Sequence, residues 1–400
     1  MNDSGAPRSL SPATRVALAH DWLCTWRGGE MVLARIASIL ERETQPGTLY
    51  TMFDAGEPTG SPIDRWNRIP SPLNRLPGSV RIRRWLMPFY PRAVRSLGKR
   101  LEADHAAEPI DLLISTSSAA IKGVRSPLRT DGSRVPHLCY CHSPARYVWS
   151  PEVRGEYAGG GGLSAMALKA YGPWFRRWDR RTAANVTQFI ANSTHTASLI
   201  KHAYGRESTV IFPPVRTWFF TPDPFTVRSK SWLVVAALEP YKRVDLAIRA
   251  AGLAKRRLIV AGEGSMRSKL EGIARDHAPG LVAFEGRVSD ERLRELYRTA
   301  ELLLFPQIED FGIIACEALA CGMPVVARRA GGALDIVRDG VTGALFDEPT
   351  PEAVLEAVAD LPRDRRATAE SCEKFAARFA EDRFDRQMLE AINACLAMGA

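Results

Sequence analysis

The sequence predicts two doubly wound α/β domains. Three observations predict them. Short, wholly apolar runs alternate with helical patterns along the chain, the alternation comes in two sets, and a polar stretch with prolines divides the sets. Apolar runs of about four residues are strands buried on both faces of a parallel sheet. A chain of 400 residues is too long for one ordinary core and suits two domains of roughly 200 residues each.

In the first set the strand candidates are Val16–Ala19, Leu112–Ser115, Leu138–Tyr140, Phe189–Ala191 and Val210–Phe212. In the second they are Trp232–Ala236, Leu258–Ala261, Val282–Phe284, Leu302–Phe305 and Val325–Ala327, with helical patterns at Val244–Gly252, Met266–Ala274, Asp290–Arg298 and Pro351–Leu361. Pro213–Pro214 closes the first set and Thr221–Ser231 forms the seam. These marks divide the chain into a disordered leader over 1–13, a first domain over 14–220 and a second over 228–380, with a last helix at 381–398 that returns to the first domain. The glycines at 159–162 are expected to form a mobile loop.

Composition narrows the class. With 46% hydrophobic and 25% charged residues the chain reads as globular, and no apolar run approaches the roughly 18 residues of a membrane span. The polar N-terminus lacks the apolar core of a signal peptide. Seven cysteines without zinc-ribbon spacing read as small apolar residues in a reducing cytoplasm. The net charge of +9 is uneven: Arg65–Arg100 holds ten Lys or Arg and no Asp or Glu, interleaved with Trp66, Ile82, Trp85, Phe89 and Tyr90. A second basic group, Lys169 to Arg181, surrounds Trp174, Phe175 and Trp178. This reads either as a solvated face or as a surface for an anionic membrane or a diphosphate-bearing molecule. No nucleic-acid fold signature accompanies it, so nucleic acid is not expected as a partner.

Residues 307–327 carry the strongest chemical signal. A strand ends at Phe305, Glu309 follows in a turn, a helix begins near Gly312, Glu317 lies within it, and Gly322 with Pro324 closes it. Two carboxylates so placed can both serve a cleft at the carboxyl edge of a parallel sheet, where such sheets bind ligands. The helix start offers amides and a partial positive charge to phosphate. Lys242 and Arg243 follow a strand and a Pro turn and can add positive charge to a diphosphate. Gly28-Gly29 follows the first strand and allows close approach of backbone to a ligand.

Glu309-x7-Glu317 followed by Ala-Leu-Ala-x-Gly-x-Pro-Val-Val-Ala resembles the signature of the retaining GT-B glycosyltransferases of family 4. Leu238–Asp245, Val260–Gly264, Phe284–Ser289, Gly331-Gly332 with Asp335, and Asp339–Gly343 resemble the family's other turns. His20–Leu23, Gly28–Glu30, Tyr140–Trp149, Ala191–Ser193 and Phe212–Val215 are similar to the mannosyltransferase branch that builds bacterial O-antigen and exopolysaccharide units on a lipid carrier.

The resemblance implies the GT-B fold, two Rossmann-like domains facing each other across a cleft. It further implies a retaining, metal-independent hexosyltransferase with GDP-mannose as the favoured donor and a saccharide acceptor, lipid-linked, on the inner face of the cytoplasmic membrane. No cofactor is expected, and the absence of any Asp-x-Asp speaks against the metal-dependent transferase fold. The implied catalytic residues are His142, Lys242 and Glu309. The implied donor site is Gly28, Gly29, Lys242, Arg243, Gly262, Gly264, Arg287, Glu309, Phe311, Gly312, Ile313 and Glu317, with Glu309 on the sugar hydroxyls and Glu317 on the ribose. Asp21, Arg146 and Tyr147 fall on the acceptor side. One position departs from the family: Ala237 stands where many members carry an Arg, leaving Arg243 or Arg287 to supply that phosphate contact. An epimerase-like enzyme on the same architecture and a catalytically silent membrane partner are the alternatives.

Overall fold

The computed structural model describes residues 10–149 and 162–399, with the side chains of 162–168 left aside. The chain divides into two compact units, residues 1–213 with 384–400, and residues 214–383.

Unit 1 is built on a seven-stranded sheet of order β3-β2-β1-β4-β5-β6-β7, all parallel. Its strands are β1 (Val16–Leu23), β2 (Thr48–Asp54), β3 (Asn67–Pro70), β4 (Leu112–Ser117), β5 (His137–Cys141), β6 (Gln188–Ala191) and β7 (Ser208–Val210). The central strands are buried along nearly their whole length, Trp22 of β1 being partly buried, as a sheet covered on both faces requires. One face packs on helix Gly28–Glu43 and, through Phe384, Met388, Ile392 and Cys395, on the C-terminal helix Glu381–Ala397. The other packs on helix Tyr90–Ala107 and on Phe175. Arg35 donates two hydrogen bonds to Asp385, at 2.6 and 2.9 Å, and fastens the last helix to the first.

Unit 2 has a six-stranded parallel sheet of order β10-β9-β8-β11-β12-β13. Its strands are β8 (Trp232–Val235), β9 (Leu258–Ala261), β10 (Val282–Gly286), β11 (Leu302–Phe305), β12 (Val325–Arg328) and β13 (Gly343–Phe346). In both sheets the strand order reverses once, between β1 and β4 and between β8 and β11. Open α/β sheets form their ligand crevice at such reversals, beyond the carboxyl ends of the strands.

Several sequence expectations change. Residue 10 belongs to the ordered chain, not to a leader: Leu10 is buried and its amide donates to Glu43 at 2.9 Å. The passage between units falls at Pro213, not at residue 220. Val215 pairs with Ala380, Arg216 bonds Asp290 at 2.8 Å, and the Phe220 ring packs on Tyr297, all within unit 2. The expected loop at 159–162 lies outside the described residues except for Gly162, which opens helix Gly162–Thr182. All seven cysteines are free.

Candidate functional site

In unit 2 every expected site residue except Glu317 lies in a loop beyond a strand's carboxyl end or at the helix start that follows. β8 runs into the turn Pro240–Lys242, whose Lys242 amide donates to the Glu239 carbonyl at 3.0 Å. Arg243 then takes a left-handed conformation (φ 51°) as helix Val244–Leu253 begins. This kink turns the chain sharply enough to leave Lys242 at the strand end. β11 runs into Gln307–Gly312, which carries Glu309. Because β8 and β11 adjoin at the strand reversal, the two loops meet there, and Lys242 Nζ forms an ion pair with Glu309 Oε1. The Lys242 ammonium also lies 5.0 Å from the Tyr241 ring centroid.

Helix Ile313–Ala320 follows at once, and a helix's first amides have no partner within the helix. Gly312, its N-cap, has φ 117°; an added Cβ would come 2.8 Å from the Phe305 ring, so only glycine fits without movement. Phe311 is buried, its ring centroid 5.6 Å from that of Phe379. The neighbouring loop is held equally closely. Gly262 (φ 135°) donates to the Gly286 carbonyl at 2.6 Å, and a Cβ there would lie 1.8 Å from the Ala236 oxygen. Gly264 packs against the Leu238 backbone, and the Ser265 hydroxyl donates to Glu239 at 2.7 Å. The turn that carries Lys242 and the loop after β9 therefore form one braced surface.

Of the two residues expected to replace the missing Arg at Ala237, Arg243 bonds Asp245 at 3.3 Å, whereas Arg287 is exposed just past β10.

Glu317 is buried, and the Tyr297 hydroxyl donates to its Oε2 at 3.1 Å. Burial raises its carboxyl from 4.5 to about 7, against the opposing pull of the Tyr297 hydrogen bond and the Arg216 charge. Sequence reasoning missed Tyr297, which lies in a helical pattern with no motif of its own.

In unit 1 the structure brings Gly29 and His142 together. Helix Gly28–Glu43 opens just beyond β1, where the Glu30 carboxylate accepts the Arg27 amide at 3.1 Å. A Cβ on Gly29 would sit 3.6 Å from His142 Nε2. Nε2 is buried and, among the described residues, has no hydrogen-bond partner. Burial, with His20 nearby, lowers the His142 pKa to about 3, so the ring is neutral at neutral pH. Arg146 and Tyr147 lie just beyond, in the turn Arg146–Trp149. The Tyr147 hydroxyl is buried, also without a partner among the described residues, and its ring packs 5.8 Å from that of Phe175.

Asp21 does not join them as an acceptor-side group. Its carboxylate takes the amides of Ser118, Ala119, Ala120 and Ile121 at 2.7 to 2.8 Å and the Ser117 hydroxyl at 3.1 Å. A carboxylate offers about four lone-pair sites, and these five donors occupy them. Asp21 is the anchor of the turn after β4.

Comparison with known proteins agrees with this architecture. Residues 26–219 match the Glycosyltransferase Family 4 model, and residues 223–380 match the model of the Glycosyl transferases group 1. The two stretches of the chain thus each resemble one of these glycosyltransferase families, and the fold is the one seen in GT-B glycosyltransferases. It is 29% identical over 249 residues to the D-inositol 3-phosphate glycosyltransferase of Thermomonospora curvata, covering 53% of this chain and 58% of that protein. It is 32% identical over 212 residues to the GDP-mannose-dependent alpha-(1-6)-phosphatidylinositol monomannoside mannosyltransferase of Mycolicibacterium smegmatis, covering 46% and 55%. The chain spans about half the length of the curated relatives it matches. In fold it is similar to Anabaena HepE, solved in complex with UDP and glucose (TM-score 0.69, 19% identity, 95% of this chain and 100% of that one).

Proposed function

We propose that the protein is a retaining glycosyltransferase that moves a hexose, mannose from GDP-mannose in the favoured case, onto a lipid-linked saccharide acceptor in bacterial surface polysaccharide synthesis. The observation that carries the reading is the Lys242–Glu309 pair at the β8/β11 reversal, four residues ahead of the helix at Ile313. A cation, a carboxylate and unpartnered helix amides are the groups a sugar diphosphate needs: positive charge for the phosphates and an acceptor for the sugar hydroxyls.

In this reading the bond between the anomeric carbon and the diphosphate oxygen breaks, and its electron pair stays on the diphosphate. Lys242 and the amides at the start of helix Ile313–Ala320 stabilise that charge. The acceptor hydroxyl oxygen bonds the anomeric carbon from the face the diphosphate leaves, and its proton passes to the diphosphate. No step is assigned to a metal. Arg287 supplies the phosphate contact missing at Ala237, because its side chain is exposed while Arg243 is tied to Asp245.

The test is a thermal-shift panel of nucleoside-diphosphate sugars, followed by transfer assays on lipid-linked saccharides. A donor at about 100 times its Kd adds about 2.7 kcal/mol of stability. GDP-mannose is expected to give the largest shift. A larger shift with UDP-glucose removes the mannose assignment, and no shift with any nucleotide sugar removes the whole reading.

A further inference from the structure

We infer that Asp179 is a positioning residue that sets the turn Arg146–Trp149, and so the acceptor side of unit 1; taking that turn as the acceptor side rests on the function proposed above. Asp179 lies near the end of helix Gly162–Thr182 and is wholly buried, as is Lys122. Its Oδ2 accepts the Trp149 indole N–H at 2.7 Å and the Tyr204 hydroxyl at 2.9 Å. Its Oδ1 pairs with the Lys122 ammonium, which also donates to the Asp179 carbonyl at 3.2 Å. Three segments thus meet at one carboxylate: Lys122 comes from the turn after β4, Trp149 from the turn after β5 and Tyr204 from the helix after β6.

The helix that carries Asp179 grips the turn at each residue from 147 to 149. The Phe175 ring packs 5.8 Å from that of Tyr147, and Arg176 donates to the Val148 carbonyl at 3.1 Å. Asp179 holds the Trp149 indole, and the Arg180 guanidinium lies 5.3 Å from the Trp149 ring centroid. Positions 175, 176, 179 and 180 share one face of a helix. The turn needs that grip. Its Val148 and Trp149 amides both donate to the Ala145 carbonyl at 3.0 Å, and a single helical turn is not stable by itself in water. What the grip sets is the place of Tyr147, whose buried hydroxyl has no partner among the described residues, and of Arg146 beside it.

Stability does not account for the charges. A buried ion pair seldom adds stability over apolar residues of the same volume, because both ions lose their hydration. What a carboxylate offers and an apolar side chain does not is several directional acceptor sites, here filled by three donors from three segments. Lys122 supplies the counter-charge and is itself placed by β4. It directly follows the amides of 118–121 that close on Asp21. Contacts therefore run without a break from Asp21 through that turn, Lys122 and Asp179 to Trp149.

The experiment compares Trp149→Phe with Tyr204→Phe in the full chain. Each removes one donor from the same carboxylate oxygen and keeps an aromatic ring, but only the first releases the turn. In Trp149→Phe the backbone amides of positions 148 and 149 are expected to exchange hydrogen with solvent about 10- to 100-fold faster, as loss of a hydrogen bond to a charged group implies. In Tyr204→Phe they should stay within about twofold of the parent. With the lipid-linked saccharide on which the parent transfers, Trp149→Phe should raise the acceptor KM about tenfold and leave the donor KM within about twofold, and Tyr204→Phe should move neither. Unaltered exchange in Trp149→Phe, or equal acceleration in both variants, would overturn the positioning role. Faster exchange with an unmoved acceptor KM would overturn the turn's place on the acceptor side. A parent chain that transfers to no acceptor removes the transferase reading, and the exchange measurement, which needs no substrate, still decides the role of Asp179.

Discussion

Replacing Glu317 with Gln should make the protein more stable at mildly alkaline pH than at acid pH relative to the parent, by an amount set by burial. Glu317 lies at the fifth position of helix Ile313–Ala320, and desolvation raises its carboxyl from 4.5 to about 7. Between those values the native protein holds a proton that the unfolded chain has released. The stabilisation from that proton is therefore complete below pH 4.5 and is lost as pH rises through 7. The whole term is about 3 kcal/mol, of which about 2 kcal/mol falls between about pH 5.5 and 8. Glutamine has the same shape, keeps an oxygen for the Tyr297 hydroxyl and never ionises. Melting temperatures of parent and variant, measured in parallel across this range, should diverge in the variant's favour by about 4 to 8 °C toward high pH. A gap that stays constant with pH would show that Glu317 ionises alike in the folded and unfolded chain and would refute a shift caused by burial. If Glu317 also binds the ribose, the same variant should lose nucleotide-sugar affinity while gaining stability at pH 8.

Lys242→Ala should lower turnover about 10²- to 10³-fold, as removal of a charge-stabilising donor does, and unchanged turnover would remove Lys242 from the mechanism. Gly312→Ala forces a Cβ to within 2.8 Å of Phe305 at φ 117° and should cost about 1 to 3 kcal/mol, read from the denaturation midpoint. Asp21→Asn replaces an acceptor by a donor among the amides of 118–121; a loss of about 3 kcal/mol or more in the unfolding of unit 1 is expected, and a variant as stable as the parent would contradict the anchoring role.

The apolar strands were the most legible part of the sequence. β9 and β11 fall on the residues their hydrophobicity marks, because a strand buried on both faces has no polar positions to blur its ends. Three strands were not legible. β2 carries Thr48, Thr51 and Asp54, β3 is the polar edge Asn67–Pro70 inside the basic stretch, and β13 opens on Gly343 next to a turn and was absorbed into it. The site was legible as loops, because Lys242 and Glu309 each follow an apolar strand. Their pairing depends on β8 and β11 being neighbours, which strand order decides and local sequence does not. Asp21 failed for the same reason. Its five donors come from residues 117–121, about a hundred positions along the chain, so no local pattern announced that its carboxylate was already committed.

The two units share one topology and use its strand reversal in opposite ways. At the β1/β4 reversal of unit 1, the loop amides converge on an anion, and the chain supplies that anion itself as the Asp21 carboxylate. A phosphate arriving there would have to displace a tethered carboxylate that accepts five hydrogen bonds, each to a charged group worth about 1.5 to 3 kcal/mol. At the β8/β11 reversal of unit 2 the chain supplies a cation, Lys242, and a carboxylate partner, Glu309. On the proposed reading, an incoming diphosphate there would exchange one counter-charge for another, and the released carboxylate would become an acceptor for hydroxyls. The topology alone would permit an anion at either reversal; in unit 1 the chain's own Asp21 carboxylate already occupies that place. In unit 1 the neutral His142 ring lies against Gly29, an arrangement suited to hydrogen bonding and not to binding charge.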